Sequence, residues 1–153
     1  MESSNNFLTD LNTYTYTVNS DMIRHLMQHQ PENERIHVLI SHTVTAHQIW
    51  LERIEGKRSG VKVFEIRPYN ELLEQNSINF EQTKLYIETK DLNQVIQYVN
   101  TKRQRFENTI SEMFLHLFNH ATYHRGQINQ LLVQEGKTAM VTDYIAYNRK
   151  EIL

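Results

Sequence analysis

The sequence predicts an all-α protein: an up-down-up-down four-helix bundle with a short extended or hairpin excursion before the last long helix. Three observations carry this expectation. Apolar residues recur every three to four positions in four stretches of roughly twenty residues, the period of a helix with one buried face. Only four glycines and two prolines interrupt the 153 residues. The breaks between stretches are short, which favours antiparallel neighbours and a single domain, residues 1–153, with a substantial core.

The first stretch, about Phe7 to His29, lines up Leu8, Leu11, Tyr14, Val18, Met22 and Leu26. Pro31 closes it, and Glu32 to Glu34 form an acidic start for the second helix. That helix, about Glu34 to Ile54, carries Ile36, Leu39, Ile40, Thr43, His47, Trp50, Leu51 and Ile54 on one face. Gly56 to Gly60 is a loop, and Val61 to Ile66 alternates weakly enough to be extended. Pro68 opens a third helix, from near Tyr69 to about Lys90, which Asn76-Ser77 could break. Between Val95 and Thr109, β-branched and aromatic residues flank the polar turn Asn100 to Arg103, a hairpin pattern. Thr109-x-x-Glu112 reads as a capping box for the last long helix, and Gly136 stops it. Thr142 or Asp143 starts a short terminal helix.

Composition narrows the function classes. The net charge is -2 and the basic run Lys102 to Arg105 reads as a solvated hairpin, so nucleic acid is not an expected partner. With no cysteine there is no disulfide and no thiolate of the chain's own. The N-terminus lacks a signal-peptide pattern, and no apolar run approaches the ~20 residues that span a bilayer. A soluble cytoplasmic protein without a membrane partner is expected.

Histidine is abundant, at eight copies. His116, His120 and His124 are spaced by four, which puts them on one side of a helix, each about 40° round from the last. Taken singly, a histidine on the edge of an apolar stripe is most often a hydrogen-bonded core residue. A pair at i and i+4 can also reach one metal ion. The second helix offers a third ligand in His42 or His47, which point about 140° apart and cannot easily share an ion. Periodicity alone favours His47, in the middle of the apolar stripe, over His42 on the flank with Val38, Ala46 and Ile49. His25, His29 and His37 read as surface residues. One histidine from the second helix and two from the fourth would form a three-His site with open coordination positions, as catalytic zinc sites have. Zn²⁺ and Ni²⁺ both suit such ligands.

Phe118-Asn-His120-Ala-Thr-Tyr-His124-Arg-Gly-Gln127 resembles the NHxxxHRGQ signature of the DinB-like (DinB/YfiT-like) family. His42 followed eight residues later by Trp50 is similar to that family's second-helix motif, and Val141 to Tyr147 to its C-terminal segment. The resemblance covers most of the chain. It implies a four-helix bundle, metal ligands at His42, His120 and His124, and a homodimer. It also implies chemistry on a small molecule, in some relatives with a low-molecular-weight thiol as cosubstrate and in others hydrolysis. On the third ligand, resemblance and periodicity disagree; His42 is taken first, with His47 as the alternative.

The functional expectation is therefore a divalent-metal-dependent enzyme that activates a thiol or water, with S-transfer ahead of hydrolysis. The alternative is a non-catalytic metal-binding or structural helical dimer. Phe114 and Phe118 beside Tyr123 suggest more apolar surface than one core needs, which also favours a homodimer. Gln127, Asn119, Thr43, Asp143 and Tyr144 are candidates to support the ligands, none with a spacing that forces a role. His116 is a packing or supporting residue, and Arg125 is expected in a structural salt bridge or across a dimer seam.

Overall fold

The computed structural model describes residues 2–100 and 102–152, with side chains from residue 7 onward. The chain is mostly helical. Helices α1 (Glu2–His29), α2 (Glu34–Ile54), α3 (Tyr69–Thr89) and α4 (Ile110–Gln134) are long, and α5 (Tyr144–Asn148) is short. Strands β1 (Val95–Val99) and β2 (Arg105–Thr109) pair antiparallel, Tyr98 opposite Phe106, in the hairpin ahead of α4. Thr101, in the expected turn, lies outside the described residues.

Local chemistry explains the ends. Asn33 accepts a hydrogen bond from the Arg35 N–H with its side chain and caps α2. Thr109 Oγ1 accepts from the Glu112 N–H at 3.2 Å, while Glu112 Oε2 accepts from the Thr109 N–H at 2.8 Å, a complete capping box. Gly136 follows α4 at φ +71°, a left-handed turn that brings the Lys137 N–H to the Leu132 carbonyl. Asn76 does not break α3. Its side-chain amide is buried and donates to the Tyr16 carbonyl at 3.0 Å and Ser20 Oγ at 2.9 Å, so it joins α3 to α1. Val61 to Ile66 forms no strand: among the described residues no strand pairs with it, and a turn from the Lys62 carbonyl to the Glu65 N–H curls it instead.

The core divides into two apolar clusters. One contains Leu8, Leu51, Ile54, Ile87, Ile110, Phe114 and Phe118; the other contains Met22, Leu26, Ile36, Ile40, Leu72, Ile128 and Leu132. Between them runs a band of buried polar side chains drawn from all four long helices: Asn12, Thr15 and Asn19, then His42, Thr45 and His47, then Asn76, Asn79 and Thr83, then His124 and Arg125. Phe114 and Phe118 are thus 0% and 3% exposed within the chain and offer no surface to a partner.

The same division gives the helix directions. Read along the chain, α1 and α4 pass from the first cluster to the second, whereas α2 and α3 pass from the second to the first. The order is therefore up-down-down-up, not the expected up-down-up-down. Polar contacts agree. His37 stacks on Tyr69, Asn79 donates to the Val44 carbonyl and His47 meets Thr83, so α2 and α3 run parallel. Each of α1 and α2 packs chiefly on α3 and α4. The connection from Glu55 to Pro68 permits this order. At ~3.3 Å per residue it can reach roughly 45 Å, more than the roughly 30 Å length of α3. The chain can return along the whole of α2 before α3 begins.

Candidate metal centre

The polar band is where α2 and α4 bring three imidazoles together. His42 Nε2 lies 3.1 Å from His120 Nε2, and His124 Nε2 lies 3.0 Å from the same atom. One ring nitrogen from each of the three lies within 4.8 Å of the others, and the group could hold a metal ion. The spacing follows from the helix: four residues advance about one turn, so His120 and His124 sit one above the other facing α2.

Hydrogen bonds at the opposite ring nitrogens set the tautomers. His42 Nδ1 donates to the Val63 carbonyl at 2.9 Å, and His124 Nδ1 donates to Gln127 Oε1 at 2.7 Å. Each of these rings then presents an unprotonated Nε2 towards His120. His120 Nε2 can carry one proton at most, so it cannot make a linear hydrogen bond to both neighbours. Lone pairs converging in this way suit a cation. Nitrogen donors ~2.1 Å from one ion stand roughly 3.0–3.4 Å apart for bond angles from 90° to tetrahedral. The two close contacts fall at the lower end of that range.

Burial disfavours a charge on His120 and on His124. Burial, then the neighbouring His124, His42, His116 and His47, lowers the pKa of His120 to about 3. Burial also lowers His124, against which its bond to Gln127 works. Neutral imidazole is the form that binds a metal, so both rings are held ready for it.

His47, the alternative suggested by periodicity, stands elsewhere. It is buried facing α3, with Nε2 2.8 Å from Thr83 Oγ1, and burial lowers its pKa to about 4. His116 lies beside the group rather than in it, 5.5 Å from His120 and 5.2 Å from Trp50 between ring centroids. Of the candidate supporting residues, Gln127 touches a cluster histidine. Thr43 bonds back to the Leu39 carbonyl, Asn119 is exposed, Tyr144 packs edge-on against Tyr14, and Asp143 caps α5 without a side-chain bond. Arg125 forms no salt bridge among the described residues. Its guanidinium is fully buried and donates to Asn19 Oδ1 at 2.7 Å, and to Tyr14 Oη and Thr122 Oγ1, each at 3.0 Å. Nor are the other three histidines free on the surface. His25 and His29 are partly buried, with ring nitrogens on the Thr138 and His25 carbonyls, and His37 meets the Arg67 carbonyl.

Two neighbours of the site escaped sequence reasoning. Val63 supplies the carbonyl that orients His42, and Phe64 stacks on the His42 ring with centroids 4.5 Å apart. Their signal was the apolar pair inside Val61 to Ile66, which pays for its exposure by covering a histidine instead of pairing as a strand.

A helical chain in which three imidazoles converge between two helices is of a class that could hold a metal ion there, and similarity to known proteins gives the family. The DinB family profile matches residues 27–152, and the chain belongs to that family. It is also similar to Protein DinB of Bacillus subtilis (strain 168), 31% identical over 121 residues, which cover 72% of this chain and 70% of that protein. No solved structure matches significantly.

Proposed function

We propose that this chain is a cytoplasmic, divalent-metal-dependent enzyme of the four-helix-bundle type that acts on a small molecule, with His42, His120 and His124 as the metal ligands. The observation that supports this reading best is the convergence of three Nε2 atoms, two of them stripped of protons by bonds to Val63 and Gln127. Three neutral nitrogen ligands leave coordination positions open, the arrangement of catalytic rather than structural sites. When bound, Zn²⁺ or Ni²⁺ supplies Lewis acidity that lowers the pKa of a coordinated thiol or water towards neutrality.

The chain's own contribution is to hold His42 and His124 in one tautomer and, by burial, to disfavour the charged form of His120 and His124. Among the described residues no carboxylate joins the cluster, so the site lacks the built-in base of a peptidase-like hydrolase. That favours S-transfer from a low-molecular-weight thiol, whose own thiolate is the nucleophile, over hydrolysis. The protein is also read as a homodimer. Support comes from exposed apolar side chains on α4, Leu115, Tyr123 and Val133, in place of the buried Phe114 and Phe118. Light scattering that shows a monomer at micromolar concentration would remove the dimer.

The test is metal analysis of untagged protein. Wild type and His47→Ala are expected to carry close to one divalent ion per chain, and His42→Ala to lose most of it. Retention by His42→Ala with loss by His47→Ala would reverse the ligand assignment, and an empty wild type would remove the enzyme reading. A metal-loaded protein that turns over neither thiol conjugates nor esters would be the non-catalytic metal-binding dimer.

A further inference from the structure

A second feature lies on the same strip of α2 as His42. Arg53 comes eleven residues later, about 20° round and roughly 16 Å along the helix. Its guanidinium rests on the Trp50 ring at 4.4 Å and over the Tyr98 ring at 5.0 Å. It has no carboxylate partner among the described residues. It borders a groove of about 670 Å³ between the end of α2, the following loop and β1, lined also by Lys57, Arg58, Val63, Tyr98 and Arg103. That volume suits a small organic ligand.

The charge in this groove is one-sided. Lys57 pairs with Glu55, but Arg53, Arg58 and Arg103 make no ion pair among the described residues. Burial disfavours the Arg53 cation, a penalty that an anion in the groove would relieve. Arg103 holds a left-handed backbone, φ 63°, where glycine or asparagine would be at ease. A long cationic side chain stands there instead. Val63 lines the groove, and its carbonyl is the group that orients His42. The groove and the metal centre therefore share a wall.

We propose that this groove binds a multiply charged small anion, bearing carboxylates or phosphates, through Arg53, Arg58 and Arg103. On the metal-enzyme reading above, on which this second step rests, it receives the anionic end of an elongated substrate or cosubstrate whose reactive end reaches the metal centre. Planar guanidinium groups grip carboxylate and phosphate oxygens two at a time, and an arginine already resting against two aromatic rings loses little freedom in doing so.

Trp50 is the single tryptophan of the chain and touches Arg53, so its fluorescence reports occupancy. The experiment titrates metal-stripped protein, freed of chelator by dialysis, with citrate and with pyrophosphate at constant ionic strength. A saturable change with either probe is expected, and the tighter of the two identifies the anionic group. Arg53→Met, which keeps the apolar stem, and the exposed double variant Arg58→Gln with Arg103→Gln are each expected to weaken binding by about tenfold. The double variant alters no core contact and keeps the test valid if Arg53→Met loosens the hairpin. No saturable change in wild type, or wild-type affinity in the double variant, overturns the proposal. So does a single-stranded oligonucleotide that outcompetes both probes, since the cations would then form a nucleic-acid surface. Because the protein is metal-free throughout, failure here leaves the metal assignment standing, and an empty metal site leaves this result standing.

Discussion

His47 makes the stability of this protein depend on pH in a way that can be worked out beforehand. The side chain is buried against α3, bonded to Thr83, and its pKa falls from 6.5 to about 4 because burial disfavours the imidazolium. The unfolded chain therefore binds a proton at His47 between those two values and the folded chain does not. Stability is full above pH 6.5 and is lost as the pH falls, at a slope approaching 1.4 kcal/mol per pH unit. The loss reaches about 1.4 kcal/mol by pH 5.5 and about 3 kcal/mol by pH 4, where the folded state itself begins to take the proton. Burial lowers His120 and His124 as well, so the measurement is a difference. His47→Gln keeps a polar partner for Thr83 but does not titrate. Urea unfolding of metal-stripped wild type and His47→Gln, followed by helical circular dichroism, gives the stability gap at each pH. Relative to its value near pH 7.5, wild type should lose about 1.4 kcal/mol against the variant by pH 5.5. A gap that stays constant over this range would mean that His47 titrates in the fold as it does in the unfolded chain, in reach of water, and a gap that grows in favour of wild type would mean that the fold holds it protonated; either would make the account of its burial wrong.

Three further outcomes are expected. Gln127→Leu removes the acceptor for His124 Nδ1 and should weaken metal binding by roughly 10–100-fold without changing the ligand set; unchanged affinity by competition with a chromogenic chelator would show that Gln127 does not set the tautomer. Stripping the metal should leave helicity intact, because two apolar clusters hold the helices without it. It should lower Tm by on the order of 10 °C at a thousandfold excess of metal over Kd, and loss of helicity on stripping would mark the site as structural. Arg125→Met should cost about 2 kcal/mol in urea unfolding, since it leaves Asn19 Oδ1 buried without its donor; an unchanged midpoint would mean that relief of a buried charge offsets the lost bonds.

What the sequence by itself determined was local. The 3.6-residue period, Pro31 and Pro68, the Thr109–Glu112 box and Gly136 act within a few residues, and α2, α3 and α4 fall where they place them, while α1 begins at Glu2, ahead of the expected Phe7. The same is true of the His120–His124 pair, because an i, i+4 separation on a helix leaves little freedom. What only the tertiary structure decided depends on which surface meets which. Loop length permitted either direction for α3; burial of the two apolar clusters, with the polar groups aligned between them, selected the parallel course beside α2. Periodicity put His47 on a buried face correctly, but α2 is buried against both α3 and α4 and so has two such faces. Only the packing tells that His47 looks at Thr83 and His42 at His120. The Val63 carbonyl lies beyond any spacing rule as well. It comes from a loop twenty-one residues along the chain, brought to His42 by the path between α2 and α3. A helix period records that a side chain is buried, but the identity of its neighbour is a property of the folded chain.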